Sequence, residues 1–262
     1  MLKKRVIPKL QMKVSRFGDS TRMVLVTTIQ FRDVIEIGDP VSQAKIYEAQ
    51  AADELIFLDL DASSESREPF MDVVKKVAQE IFMPITVGGG VRSIKDFRKL
   101  LSNGADKVSI NTAAVENPEF ITEASDIFGA QCVVLSIDYS RKGRKKPRVL
   151  INGGRVETDL DPVEWAKTGE EKGAGEILLT NIDRDGTRNG LDLDISRQIS
   201  ELVEIPIILS GGCGLAKHFV EGFQQGCADA VSAGTYFCFR DEPPMQIRSQ
   251  IKNAGIPIRL HT

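Results

Sequence analysis

The stretch "VGGGVRSIKDFRKLLSNGADKVSINTA", Val87 to Ala113, returns later in the chain as "LSGGCGLAKHFVEGFQQGCADAVSAGTY", Leu209 to Tyr236. Setting Gly89 over Gly212 and Asp106 over Asp229 gives a spacing of 123 residues. A second pair, "ADELIFLDLDAS" from Ala52 and "AGEILLTNIDRD" from Ala174, places Glu54 over Glu176 and Asp61 over Asp183 at a spacing of 122. A spacing close to half of the 262 residues makes the chain two similar halves, and such self-similarity is read before any single element.

Outward from these repeats, eight β-rich runs alternate with helical patterns: "KRVIPKL", "ELIFLDL", "MPITVGG", "DKVSI", "CVVLSID", "EILLTNI", "PIILSGG" and "DAVSAG". Several of the segments between them, such as "DPVEWAKTGEEKG", open on Asp, Ser or Asn and end near Gly, as helix caps require. Alternating strands and helices predict a parallel sheet, either a closed (βα)8 barrel or an open doubly wound sheet. Duplication of a half with four strand-helix units selects the barrel. The expected fold is therefore α/β, a single (βα)8 TIM barrel over residues 1–262 built from two similar half-barrels. In that frame "VIPKLQ" lies over "VVLSID", and Gln11 falls over Asp138.

Composition narrows the function. With 42% hydrophobic residues and no apolar run of the roughly 18 needed to span a bilayer, no membrane role is expected. The start "MLKKRVIP" lacks the apolar core and cleavage pattern of a signal peptide, so a cytoplasmic protein is expected. A net charge of -3 argues against nucleic acid, whose binding needs a clustered cationic excess. Four cysteines without a C-x-x-C pair, and only two histidines, leave too few ligands for zinc; no metal and no cofactor are expected. The segment "RKGRKKPR", Arg141 to Arg148, reads either as a solvated loop or as an electrostatic collar for a phosphorylated ligand.

Barrel sites form at the carboxyl ends of the strands. Here those ends carry Gln11, Asp59, Asp61, Gly88 to Gly90, Asn111, Thr112, Asp138, Asp183, Asp185, Gly211, Gly212, Gly234 and Thr235. Glycine-rich strand ends let backbone N–H groups approach an anion closely, and their repetition predicts two phosphate sites. One would join Gly88 to Gly90 with the next strand end, Asn111 and Thr112; the other, Gly211 and Gly212 with Gly234 and Thr235, while Gly186 lies in the flexible turn "NIDRDGTRNG" that could close over a ligand. Two such sites across one mouth suggest an elongated small molecule phosphorylated at both ends. Asp138 is either a general acid or base or a structural hydrogen-bonding group, with Asp185 as its helper. Neither His218, in a helical segment, nor His261 sits at a strand end, so proton transfer falls to carboxylates. At the other strand ends, Arg5, Glu54, Lys107 and Glu176 are either solvated or paired as a ring closing the barrel bottom.

The motifs "DELIFLDLDAS", "VGGGVRS", "GADKVSINTAAVENP", "GAGEILLTNIDRDGT" and "SGGCG" closely resemble the cyclase subunit of imidazole glycerol phosphate synthase, over nearly the whole chain. The resemblance implies a barrel that receives ammonia from a class I glutaminase docked on its amino-terminal face and passes it through to a ligand at the other end. It also implies an ammonia gate of Arg5, Glu54, Lys107 and Glu176, one phosphate site of Gly90, Asn111 and Thr112 and another of Gly212, Gly234 and Thr235, and Asp138 as one of two catalytic aspartates. The second falls at Gln11, where the family's "PCLDV" reads "PKLQM". The segment from Met12 to Ile37 is also longer than the family's first loop, returning to register at "GDPV". A neutral amide cannot relay a proton, and losing a general acid or base costs roughly 100 to 10,000-fold.

These departures are similar to a divergent branch that works with a glutaminase and a separate sugar amidotransferase, converting a sugar N-acetyl group to an acetamidino group in surface-polysaccharide synthesis. The expectation is therefore a barrel subunit of that kind. An authentic histidine-pathway cyclase and a non-catalytic scaffold that activates the glutaminase are the alternatives.

Overall fold

The computed structural model describes residues 3–17, 20–63, 65, 70–239 and 242–259. Its strands are β1 (Arg5–Phe17), β2 (Ser20–Thr27), β3 (Ile35–Gly38), β4 (Leu55–Asp59), β5 (Ile85–Gly88), β6 (Lys107–Ile110), β7 (Val133–Ser140), β8 (Arg148–Ile151), β9 (Val156–Glu157), β10 (Glu176–Asn181), β11 (Ile207–Ser210) and β12 (Ala230–Ala233). Eight of them, β1, β4, β5, β6, β7, β10, β11 and β12, form a parallel ring that β12 closes onto β1, so the structure is a (βα)8 barrel. All eight runs expected from the sequence are barrel strands.

The crossover helices follow from local chemistry. Asp39 and Asp161 each precede a proline that opens a helix, and each carboxylate accepts from a first-turn N–H, Ser42 N at 2.8 Å and Val163 N at 2.9 Å. Proline at the first helical position loses nothing, since that N–H has no intrahelical partner. In the helix Ile94–Ser102, Ser93 caps the Asp96 N–H, and Phe97 and Leu100, spaced three apart, bury one face against the barrel. Such a cap contributes about 1 kcal/mol.

Strand alternation separates two cores. Outward residues such as Val6, Leu10, Leu55 and Leu135 pack under the helices, whereas Ile7, Ile56, Val134, Leu178, Ile208 and Ala230 fill the barrel axis as their own cluster.

The halves correspond more closely than the sequence indicated, with one change of register. Gly89 and Gly211 both have positive φ, +99° and +92°, and a Cβ on either would strike the preceding barrel strand, at the Asp59 carbonyl (2.3 Å) and the Asn181 carbonyl (2.5 Å). Gly89 is thus the counterpart of Gly211, not of Gly212. The 122 spacing holds through the helices Ile94–Ser102 and Ala216–Gln224. It becomes 123 only at the left-handed residues Gly104 and Cys227, before β6 and β12. One extra residue in that turn accounts for both spacings.

Each half's first strand also leaves the barrel in the same way. Beyond Pro8, β1 exchanges its partner β12 for the antiparallel β2, with Gln11 opposite Val26, and β3 extends that hairpin. Likewise β7 exchanges β6 for the antiparallel β8, with Asp138 opposite Leu150. The lengthened segment after Met12 is therefore sheet for much of its course rather than loop.

Candidate functional site

At the amino-terminal end of the barrel, the four expected charges meet in one ring. Arg5 donates to Glu54 Oε2 at 3.0 Å and to Glu176 Oε1 at 2.5 Å, while Lys107 Nζ reaches both Glu54 oxygens at 3.0 Å and Glu176 Oε2 at 2.7 Å. Thr86 Oγ1 donates to Glu54 Oε1 at 2.7 Å. Burial alone would lower the Arg5 guanidinium pKa, but Glu176 and Glu54 outweigh it and hold it above its ordinary value. These groups are paired, not solvated. Outside the ring lies a depression of about 550 Å³ lined by Lys3, Gln131, Asp229 and Arg259 among others.

Between the ring and the mouth, the axial apolar cluster gives way to hydroxyls. Ser109, Ser136, Ser210 and Ser232 are all buried, and among the described residues the Ser210 and Ser232 hydroxyls have no hydrogen-bond partner.

At the carboxyl end, register confirms that Gln11 and Asp138 occupy equivalent places. Gln11 pairs with Leu58 on β4, Asp138 pairs with Thr180 on β10, and Leu58 and Thr180 are themselves 122 residues apart. Asp138 accepts from Asn111 Nδ2 at 2.9 Å. Burial pushes its pKa up to about 6, against the opposing pull of Lys9 and the Asn111 hydrogen bond and with help from Asp185. A carboxyl poised there exchanges protons at neutral pH more readily than an ordinary aspartate.

Gln11 lies in a buried cluster. Its Nε2 donates to Asp185 Oδ2 at 3.4 Å, and Thr28 Oγ1 donates to Gln11 Oε1 at 3.2 Å. Lys9 Nζ, missed in the sequence, reaches Asp185 Oδ1 at 3.1 Å. The signal for it was the period-two reading itself, which turns Lys9 inward with Arg5, Ile7 and Gln11.

Gly89, Gly90, Asn111 and Thr112 line one small cavity with Ser63, Ser109, Ser136 and Asp138. The Gly90 N–H donates to Ser63 Oγ at 3.2 Å, and Thr112 Oγ1 accepts from Asn152 N at 3.0 Å. The other expected set is more closely packed. The Gly190 N–H donates to the Gly212 carbonyl at 2.8 Å, and the Thr235 hydroxyl meets that of Thr27 at 2.8 Å.

Gly186, at φ +74°, lets the hairpin-derived segment pass close, since a Cβ would lie 2.0 Å from the Thr28 carbonyl. Gln30 fastens that segment, donating from its backbone to Asp185 O and from its side chain to Asp183 O, both at 2.8 Å.

Asp59, Asp61 and Asp183 organise loops. Asp59 accepts from the Asp61 and Ala62 N–H groups. Asp183 accepts from Ser140 Oγ at 2.6 Å and from the Arg141 N–H at 2.7 Å. Burial alone would raise Asp61, but Arg155 and Lys13 outweigh it and hold its pKa below the usual range. In the basic segment, Arg144 pairs with Glu157 and Arg148 with the Asp159 carbonyl, while Arg141 and Lys142 line a cleft of about 380 Å³ with Gln30 and Arg32. His218 Nδ1 accepts the Gly214 and Leu215 N–H groups as a helix cap, and His261 lies outside the described residues. No described helix is long and apolar enough to cross a membrane.

The profile of the family described as "Histidine biosynthesis protein" matches residues 5–242. The chain is 50% identical over 260 residues, 99% of both chains, to a Prochlorococcus marinus protein named provisionally as imidazole glycerol phosphate synthase subunit hisF2. It is 47% identical over 277 residues, 99% of this chain and all of the other, to imidazole glycerol phosphate synthase subunit HisF of Methanosarcina mazei. A Clostridium botulinum protein of the same name is 44% identical over 261 residues, covering 99% of this chain and all of its own. Matched along nearly its whole length to these subunits and to the family profile, the chain belongs to the histidine biosynthesis protein family, in its HisF-like group.

Proposed function

We propose that this chain is the barrel subunit of an imidazole glycerol phosphate synthase-type complex. It takes ammonia from a class I glutaminase docked over the ring of Arg5, Glu54, Lys107 and Glu176, and joins it to a phosphorylated acceptor at the opposite mouth. The observation that carries this reading is Asp138: a buried carboxyl with a pKa near 6, in the same cavity as Gly89, Gly90, Asn111 and Thr112. In this reading Asp138 moves the protons of ring closure, Asn111 orients its carboxyl, and the glycine-rich strand ends hold phosphate. The hydroxyls of Ser210 and Ser232 offer polar contacts to ammonia on its way along the axis. The names of the relatives favour the histidine-pathway ribonucleotide as acceptor.

A second reading is favoured by Gln11, which stands where a second acid would complete the pair. Under it, ammonia leaves for a separate sugar amidotransferase and replaces the oxygen of a sugar N-acetyl group, which departs overall as water, giving an acetamidino group in surface-polysaccharide synthesis.

The test combines the chain with its glutaminase and glutamine, and separately with an ammonium salt, and offers the histidine-pathway ribonucleotide. Release of imidazole glycerol phosphate that Asp138→Asn abolishes supports the cyclase. Stimulated glutaminase with no such product, together with acetamidino sugar formation once the sugar amidotransferase is added, replaces it with the second reading.

A further inference from the structure

A lysine inside a barrel needs a physical reason. Lys9 sits between Pro8 and Leu10 in β1, faces the axis, and is only 3% exposed. Burying an ammonium is costly unless it is paired. The fold does not require the charge: Lys9 pairs with Ile56 and Ser136 with Leu178, partners 122 residues apart, so the second half puts a serine at the equivalent place.

The surroundings of Lys9 are those of the mouth. Its Nζ lies 3.1 Å from Asp185 Oδ1 and 5.9 Å from the centre of the Phe31 ring. The other Asp185 oxygen accepts from Gln11 Nε2 and Thr28 Oγ1, each at 3.4 Å. Lys9 also acts through its charge on Asp138, as Asp185 does with the opposite sign. Around Asp138 the charged groups are therefore Lys9 from β1 and Asp185 from the loop after β10, while β6 contributes the neutral Asn111 through its following residue and β8 the apolar Leu150.

We propose that Lys9 is a positioning residue of the reaction: a fixed ammonium that anchors the Asp185 carboxylate beside Gln11, where an acid is missing, and shares its charge with Asp138. The mouth then holds an ion pair, Lys9 with Asp185, whose cation also acts through space on Asp138. Two carboxylates sharing a site without a cation oppose each other's ionisation, and an opposite charge within about 4 to 6 Å relieves this. The inference rests on reading Asp138 as the proton-transfer group, but its physical content does not depend on the acceptor.

The test is a titration of the Asp138 carboxyl by carbon-13 NMR on full-length protein labelled at aspartate, assigned with Asp138→Asn. Lys9→Met should raise the Asp138 midpoint by about one unit or more, and Lys9→Arg should keep it near the parent value. Asp185→Asn should move it down, because it removes a like charge and leaves the cation. In turnover assays Lys9→Met should displace the acidic limb of the rate profile upward with the midpoint and lower kcat more than it raises KM. An unchanged Asp138 midpoint in folded Lys9→Met overturns the proposal. If that variant does not fold, Lys9→Gln decides by the same readout: an upward shift of the Asp138 midpoint supports the proposal and no shift overturns it. Shifts as stated with no turnover of the histidine-pathway ribonucleotide support the Lys9 assignment and count against the cyclase reading.

Discussion

Replacing Glu54 with Gln tests whether the charge ring is a buried network or a set of surface pairs. Glu54 is 3% exposed, Glu176 6%, Arg5 22% and Lys107 20%, and Glu54 is the shared acceptor of Arg5, Lys107 and Thr86. At the 3.0 Å separations seen here, each pair lies inside the ~4 Å at which unit charges attract by about 4 kcal/mol for an effective dielectric constant near 20. Removing one partner of a fully buried pair costs about 3 to 5 kcal/mol. Two features reduce that figure here: both cations keep Glu176, and both are about one-fifth exposed.

We therefore expect Glu54→Gln to cost about 2 kcal/mol, which for a chain of this size lowers Tm by roughly 4 to 8 °C. The assay is thermal unfolding at pH 7, with a double-mutant cycle against Lys107→Met to isolate the pairwise coupling. The parent Tm should move little between low salt and high salt, because partly buried pairs are weakly screened. A Tm change under about 1 °C, or a coupling under about 0.5 kcal/mol, is what exposed pairs give and would refute the buried-network argument.

Other consequences are equally specific. Asp138→Asn should lower turnover roughly 100 to 10,000-fold while stabilising the protein near pH 8, measured by Tm at several pH values. The sign follows from the raised folded-state pKa of about 6: the native state holds its proton more tightly than the unfolded chain, so the parent loses stability as pH rises from about 4 to 6. The variant should escape that loss, on the order of 2 to 3 kcal/mol, with the advantage vanishing below pH ~4. Gly89→Ala places a Cβ 2.3 Å from the Asp59 carbonyl at φ +99°, and should cost roughly 1 to 3 kcal/mol in denaturant unfolding. Gly186→Ala meets the Thr28 carbonyl at 2.0 Å and should push the 27–32 segment off the mouth. Limited proteolysis should then cut near Arg32 faster, with global stability changed far less than by Gly89→Ala.

The barrel was legible because its cause is periodic. Each strand is a short β-rich run between capped helices, and the internal repeat excluded an open sheet. The two hairpins were not legible as such. "TRMVLVTT" is apolar enough for a strand, but its partner is the continuation of β1, and nothing local announces that β1 runs on past the barrel. Asp138, Asn111, Thr112 and the glycine pairs were singled out because they lie at the carboxyl ends of strands, and the structure brings the first set into one cavity. The second set sits at equivalent strand ends, where Gly190 and Thr27 pack against it. Lys9 escaped because composition habitually assigns lysine to solvent, and only the pleat shows that it points inward. The two spacings show a one-residue step between the halves, but its place was not readable, since Gly89 matches Gly211 or Gly212 equally well by letter and only contact chooses.

β1 carries Arg5 in the ring and Gln11 at the mouth, six residues or about 20 Å along one extended strand. This interval acts as a ruler between the two ends of the molecule. Inserting or deleting one residue within it would turn Ile7, Lys9 and Gln11 onto the helix-facing side, and a change of two would move each by a whole layer. Change in this part of the gene is therefore confined to substitution, as at Lys9 and Gln11, and extra length has room only beyond Met12, where the strand has left the ring.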